Sequence, residues 1–218
     1  MLDDDSHVNR VQQRADRDRL ESPLEEIFIE NLEKYLSPSI SILPQYEIET
    51  IAGKFRLDFV IAFGETKIGL ECDGKDFHDA FRDEWRDGLI LDTGEIETIY
   101  RFRGKDIFYA LEDCIYIIYK YDYRIFNNRY PHFCARLISQ EIEEYFTIEE
   151  SRFKKRESVM INYDIRNDDN VLTGQFSFFT LRRNRNVEGR WQIFVKYVKT
   201  NPGLSLDQLI AQYKSGKR

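Results

Sequence analysis

A chain of 218 residues, 42% hydrophobic and 33% charged, has the composition of a folded globular protein and excludes collagen-like or low-complexity architectures. Its apolar runs fall well short of the roughly 18–20 residues that span a bilayer, and the opening MLDDDSHVNR lacks the charged-then-apolar pattern of a secretory signal, so a cytoplasmic protein with no membrane contact is expected. Three widely spaced cysteines without a CxxC pair argue for a reduced compartment and against a zinc site.

The formal net charge of −7 argues against uniform attraction to nucleic acid, but it is unevenly spread. Residues 151–218 carry about +8 and residues 1–105 about −10. A basic region beside an acidic one suits a polyanion partner that also meets a metal site. A solubilising tail of solvated Lys and Arg fits the same charges.

Residues 1–21 are polar and read as a flexible lead-in. A helix then starts at Ser22, which can act as N-cap with Pro23 at the first helical position and Glu25 in capping-box spacing, followed by Leu24, Ile27, Phe28, Leu32 and Leu36. Three strands are expected next, in QYEIETIA, KFRLDFVIAF and TKIGLECD. In the second, Phe55, Leu57, Phe59, Ile61 and Phe63 should share one face; in the third, Ile68, Leu70 and Cys72 should point inward. A helix from about Asp76 to Thr93 carries Phe77, Phe81, Trp85 and Leu89 as its buried stripe. IETIYRF reads as a fourth strand, residues 105–121 as one apolar helix, and residues 129–146 as another. SVMINYDI, GQFSFFTL and WQIFVKYV suggest a small antiparallel meander, and SLDQLIAQYK a closing helix with Ser205 and Gln208 in capping-box spacing. The core order is helix, three strands, helix, strand, which predicts a mixed sheet flanked by helices, an α/β or α+β fold.

Gly64-Glu65 between the second and third strands suits a type II′ turn, which wants glycine first. Pairing Phe63 with Thr66 then fixes a register that sets Asp58 opposite Glu71 and Arg56 opposite Asp73, on the face away from the phenylalanines. Like charges placed opposite each other destabilise a sheet. A divalent cation resolves the conflict, since clustered carboxylates are what Mg²⁺ takes. A solvated face of mixed charge with an Arg56–Asp73 salt bridge reads the same residues without a site.

The stretch RLDFVIAF…IGLECDGKDFH…RDEWRDGLILDTGEIETIYRF resembles the PD-(D/E)XK nuclease superfamily, in the branch related to very-short-patch-repair (Vsr-like) endonucleases of bacteria. The similarity covers about residues 22–107. It implies a restriction-endonuclease-like core over residues 22–121, with a mixed four-stranded sheet in αβββαβ order; residues 122–218 match no motif and read, from their charge and patterning, as a basic carboxy-terminal α+β extension. It implies Asp58 and Glu71 as ligands of Mg²⁺ or Mn²⁺, with Asp73 as a third; Glu25 matches a helix-1 acid that lies near the metal in many members. Asp73 stands where the best-known members have lysine, leaving Lys75 and His78 to orient water or offset charge. His78 also reads as a structural hydrogen-bonder and Glu25 as a plain helix cap.

Arg56, Arg82, Arg86 and Arg101 are candidate contacts to nucleic acid, although Arg82 and Arg86 can also pair with Asp79, Asp83 or Asp87. RRNRN, read as a hairpin tip between two strands, presents Arg182, Arg183 and Arg185 for a groove or phosphates; a solubilising loop explains it equally. The expectation is a Mg-dependent endonuclease acting on DNA, with RNA left open and a homodimer or partner subunit as further options. The alternative is an inactive nuclease-fold module that binds nucleic acid or serves a larger defence complex.

Overall fold

The computed structural model describes residues 16–74, 79–130, 136–149, 158–167, 169–183 and 190–216. After a 3-10 turn at Arg17–Arg19, helix α1 (Pro23–Glu33) leads to strands β1 (Ser41–Thr50), β2 (Gly53–Phe63) and β3 (Thr66–Asp73). Helix α2 (Ala80–Asp92) crosses to β4 (Thr98–Arg103). Helices α3 (Gly104–Tyr109), α4 (Leu111–Asp122) and α5 (Gln140–Glu149) follow, then β5 (Ser158–Arg166), β6 (Leu172–Arg182), α6 (Arg190–Thr200) and α7 (Leu206–Lys214).

One six-stranded sheet, in the order β1-β2-β3-β4-β6-β5, organises the molecule. The β3–β4 pair is parallel because α2 carries the chain back across the sheet; the other pairs are antiparallel. Helices cover both faces. On one side Phe28, Ile29, Leu32, Ile107, Cys114, Ile118, Ile142 and Phe146 pack on Phe59, Leu70, Tyr100, Phe102, Phe176 and Phe178. On the other, Trp85, Leu89, Trp191, Phe194, Val198 and Leu209 pack on Leu57, Val60, Ile99 and Leu181. Strand β4 is therefore buried on both faces, its polar Thr98 and Arg101 included. Among the described residues no helix is long and apolar enough to cross a membrane.

Most local signals in the first half act as expected, except that the capping box at Ser22 is incomplete: the Glu25 carboxylate accepts the Glu21 N–H and the Ser22 hydroxyl and not the Ser22 N–H. Ser22 caps α1 by accepting the Glu25 N–H, Pro23 opens the helix, and Gly64 adopts φ +58° in the hairpin where Phe63 pairs with Thr66. The Ser205–Gln208 capping box of α7 is complete.

Four expectations are corrected. The sheet has six strands, because β6 pairs with β4 and carries β5 with it instead of forming a separate meander. WQIFVKYV lies in helix α6: Trp191, Phe194, Val195 and Val198 recur at helical spacing and bury one stripe, which overrides the strand preference of its aromatic and branched residues. The apolar helix after β4 is broken at Ala110 (φ −140°, ψ 44°), and the next one begins at Gln140, with residues 131–135 outside the described part. Finally, the phenylalanine face of β2 is split. Phe55 and Leu57 pack on the α2 side, Phe59, Ile61 and Phe63 on the α1 side. Alternation reverses at Asp58, and it reverses in β1 as well, between Ile42 and Ile48. The residue between those two that leaves ordinary strand geometry is Gln45, with φ +52°.

Candidate functional site

The end of β3 and the elements beside it gather the acidic residues. Glu71 and Asp73 alternate along β3 and so project to one face. Asp58 comes from β2, where the ladder with β3 runs from Phe63–Thr66 to Phe59–Leu70 in the expected register. Beyond that pair the carboxylate replaces the backbone: Asp58 Oδ2 accepts the Cys72 N–H at 2.7 Å. Glu25 comes from the first turn of α1. Its Oε1 accepts the Ser22 hydroxyl at 3.1 Å, and its Oε2 accepts the Glu21 N–H and the Gln45 amide, both at 3.0 Å.

Two arginines answer these acids. Arg86 of α2 donates from Nη2 to Glu71 Oε1 at 2.6 Å and to the Arg56 carbonyl. Arg101 of β4, the register partner of Glu71, is clamped by Asp87 through two 2.7 Å bonds and donates from Nη1 to Asp73 Oδ1 at 3.1 Å. Both Arg101 and Asp87 are buried. The expected Arg56–Asp73 opposition does not form: Arg56 pairs with Glu21 at 2.6 Å, and Asp73 has Arg101.

Burial dominates the electrostatics. It pushes Glu71 up to about 8; Arg101 and Arg86 oppose the shift, and Asp58 and Asp87 add to it. Removing a carboxylate from water outweighs even the close Arg86 pair. Burial also raises Asp58, against the Cys72 N–H and with the help of Glu25 and Asp73. The buried Cys72 thiol is raised by burial first, then by Asp58, Glu25, Glu71 and Asp73, so four acids act on one strand end.

The donor types are those a hard divalent cation takes: carboxylate oxygens from α1, β2 and β3. As they stand, no three Asp, Glu, His or Cys side chains among the described residues are grouped to hold an ion. Arg86 on Glu71 and the Cys72 N–H on Asp58 engage oxygens that a cation would use.

The other expected residues fall elsewhere. Arg82 reaches Asp207 of α7 at 2.9 Å. Arg182 turns inward, donating to the Tyr100 hydroxyl at 3.1 Å and lying 5.0 Å over the Tyr121 ring. Arg183 bonds the Gly94 carbonyl at 3.0 Å and Glu97 at 3.2 Å. The expected hairpin tip is instead the connection between β6 and α6. Lys75, His78 and Arg185 lie outside the described residues. Two neighbours of the cluster were not among the expected site residues. Asp87 sits off the apolar stripe of α2 yet is fully buried, and Gln45 looks like an ordinary polar strand residue.

No family model, no curated protein and no solved structure matches the chain.

Proposed function

We propose that this chain is a metal-dependent endonuclease-like protein that hydrolyses phosphodiester bonds, with DNA as substrate. The observation that carries the reading is the convergence of Glu25, Asp58, Glu71 and Asp73 on the Cys72 strand end, with Glu71 raised to about 8. A fold gains no stability from burying carboxylates that repel one another, whereas a phosphoryl-transfer site needs them. The order α1-β1-β2-β3-α2-β4 supports the resemblance to the PD-(D/E)XK nucleases.

Asp58 and Glu71 would hold Mg²⁺ or Mn²⁺, with Asp73 and Glu25 as further ligands or water-orienting groups. When bound, such an ion polarises a phosphoryl oxygen and acidifies a water. Asp58 is held on the Cys72 N–H, so its carboxylate enters the site in a fixed orientation. Arg101, fixed by Asp87, supplies positive charge beside Asp73, where the best-known members of the superfamily have a lysine. Arg86 offsets Glu71 in the metal-free protein. The positive charge of residues 151–218, about +8, favours approach of a polyanion.

The test is cleavage of plasmid and linear DNA with Mg²⁺ or Mn²⁺. Asp58→Ala and Glu71→Ala should each abolish it, a loss on the order of 100-fold or more. Cleavage equal to wild type in both variants, or none by wild type, defeats the enzymatic reading. The arginine pairing of Glu71 and Asp73 favours one rival, a nuclease-fold module that binds nucleic acid without cutting. That rival predicts salt-dependent DNA binding that is indifferent to metal and to Asp58.

A further inference from the structure

Gln45 is held beside this cluster by its amide nitrogen and, at its backbone carbonyl, by Arg19 at 3.3 Å, yet its backbone is strained and its amide oxygen unmet. Its neighbours Pro44 and Tyr46 pair with Phe59 and Leu57, so Gln45 stands opposite Asp58 across the β1–β2 pair. Its φ of +52° lies in the left-handed region that side chains other than those of Gly, Asn and Asp rarely adopt. The residue is only 6% exposed. The amide nitrogen donates to Glu25 Oε2 at 3.0 Å, while the buried carbonyl oxygen Oε1 has no hydrogen-bond partner among the described residues.

The orientation of the amide follows from chemistry. Glu25 already accepts from Glu21 and Ser22, so it presents acceptors to Gln45 and takes the NH₂ end. The carbonyl is then the end left over. A glycine would relieve the backbone and a leucine would remove the unpaired oxygen. Strain and an orphaned polar atom at one residue, beside four acids, mark a group kept for something other than stability.

We propose that Gln45 is a member of the site, its Oε1 serving as a neutral oxygen ligand for the divalent cation while its NH₂ is anchored on Glu25. This rests on the metal-site reading above. Hard divalent cations take amide carbonyl oxygens as well as carboxylates. A neutral donor suits this position because a fifth carboxylate would add to the repulsion that, after burial, raises Asp58 and Glu71.

The experiment is calorimetric titration of Mn²⁺ into the full chain, with metal-free thermal melts, for wild type, Gln45→Leu, Gln45→Gly and Gln45→Glu. Expected are Mn²⁺ affinities about 10-fold or more below wild type for the leucine and glycine variants, with metal-free melting temperatures close to wild type. Gln45→Glu keeps an oxygen at this position and adds a charge that attracts the cation, although it loses the NH₂ bond to Glu25, and it should bind Mn²⁺ at least as tightly as wild type. The leucine and glycine variants together guard against one that does not fold. Equal Mn²⁺ affinity in wild type and these variants overturns the role of Gln45 alone. A glutamate variant as weak as leucine also overturns it, leaving Gln45 as an anchor for Glu25. Wild type that binds no Mn²⁺ overturns the metal site together with it.

Discussion

Asp58 accepts the Cys72 N–H at 2.7 Å while standing among Glu25, Glu71 and Asp73. An asparagine keeps an acceptor for that N–H and drops the charge. Asp58→Asn should therefore leave the metal-free protein as stable as wild type, or more stable by about 1 kcal/mol in urea denaturation, while losing Mn²⁺ binding. Glu71 gives a second prediction, with a defined sign. Its folded value of about 8 lies above the ordinary 4.5, so the folded state holds a proton that the unfolded state releases. That stabilisation is full below about 4.5 and is lost as the pH rises through about 8. The urea midpoint of wild type should fall across this window, and Glu71→Gln should flatten the fall by on the order of 2–4 kcal/mol. Cation affinity should move the opposite way and rise with pH, because the ion takes the deprotonated carboxylate. Glu71 and Asp73 were legible as a pair because strand alternation is local. Their arginine partners were not, since Arg101 reaches them only through the parallel β3–β4 pairing and Arg86 only through the packing of α2.

Helix α2 shows how an element serves both the core and the site. Its Trp85 stacks on Phe194 at 4.5 Å while its Arg86 and Asp87 turn to the acids and to Arg101. Gly88 permits the close approach of α6: a Cβ there would lie 3.0 Å from the Trp191 Cβ. Gly88→Ala should destabilise by about 1–3 kcal/mol despite alanine's helix preference of about 1 kcal/mol, read from the chemical denaturation midpoint. Asp87→Ala leaves the buried Arg101 guanidinium without its two-bond partner and should cost about 3–5 kcal/mol in the same assay. The helical spacing of Trp191, Phe194, Val195 and Val198 was present in the sequence, but aromatic and branched content pointed to a strand. Burial of one stripe against α2 decided the contest.

Over the whole molecule, strands from both sides of residue 121 share one sheet, and its two covered faces draw on the last third of the chain. The turn at Gly64 was readable because a two-residue loop sets its own register. The β4–β6 pairing was not, because about 70 residues separate the strands in sequence and neither end carries a turn signal for the other. A chain ending at residue 149 would bare β4 along one edge and both cores beside it. It should bind a hydrophobic dye and lack near-ultraviolet circular dichroism; a cooperative melt like that of the full chain would contradict this. The acids come from α1, β2 and β3, and Arg101 of β4 ties them to this pairing through its register partner Phe179. The most direct measurement is therefore anomalous diffraction from crystals soaked in Mn²⁺, at a pH above the Glu71 value of about 8. A peak bonded to both Asp58 and Glu71 is the predicted result. Crystals that take up Mn²⁺ elsewhere, with Arg86 still on Glu71 and no density between the two carboxylates, would contradict it.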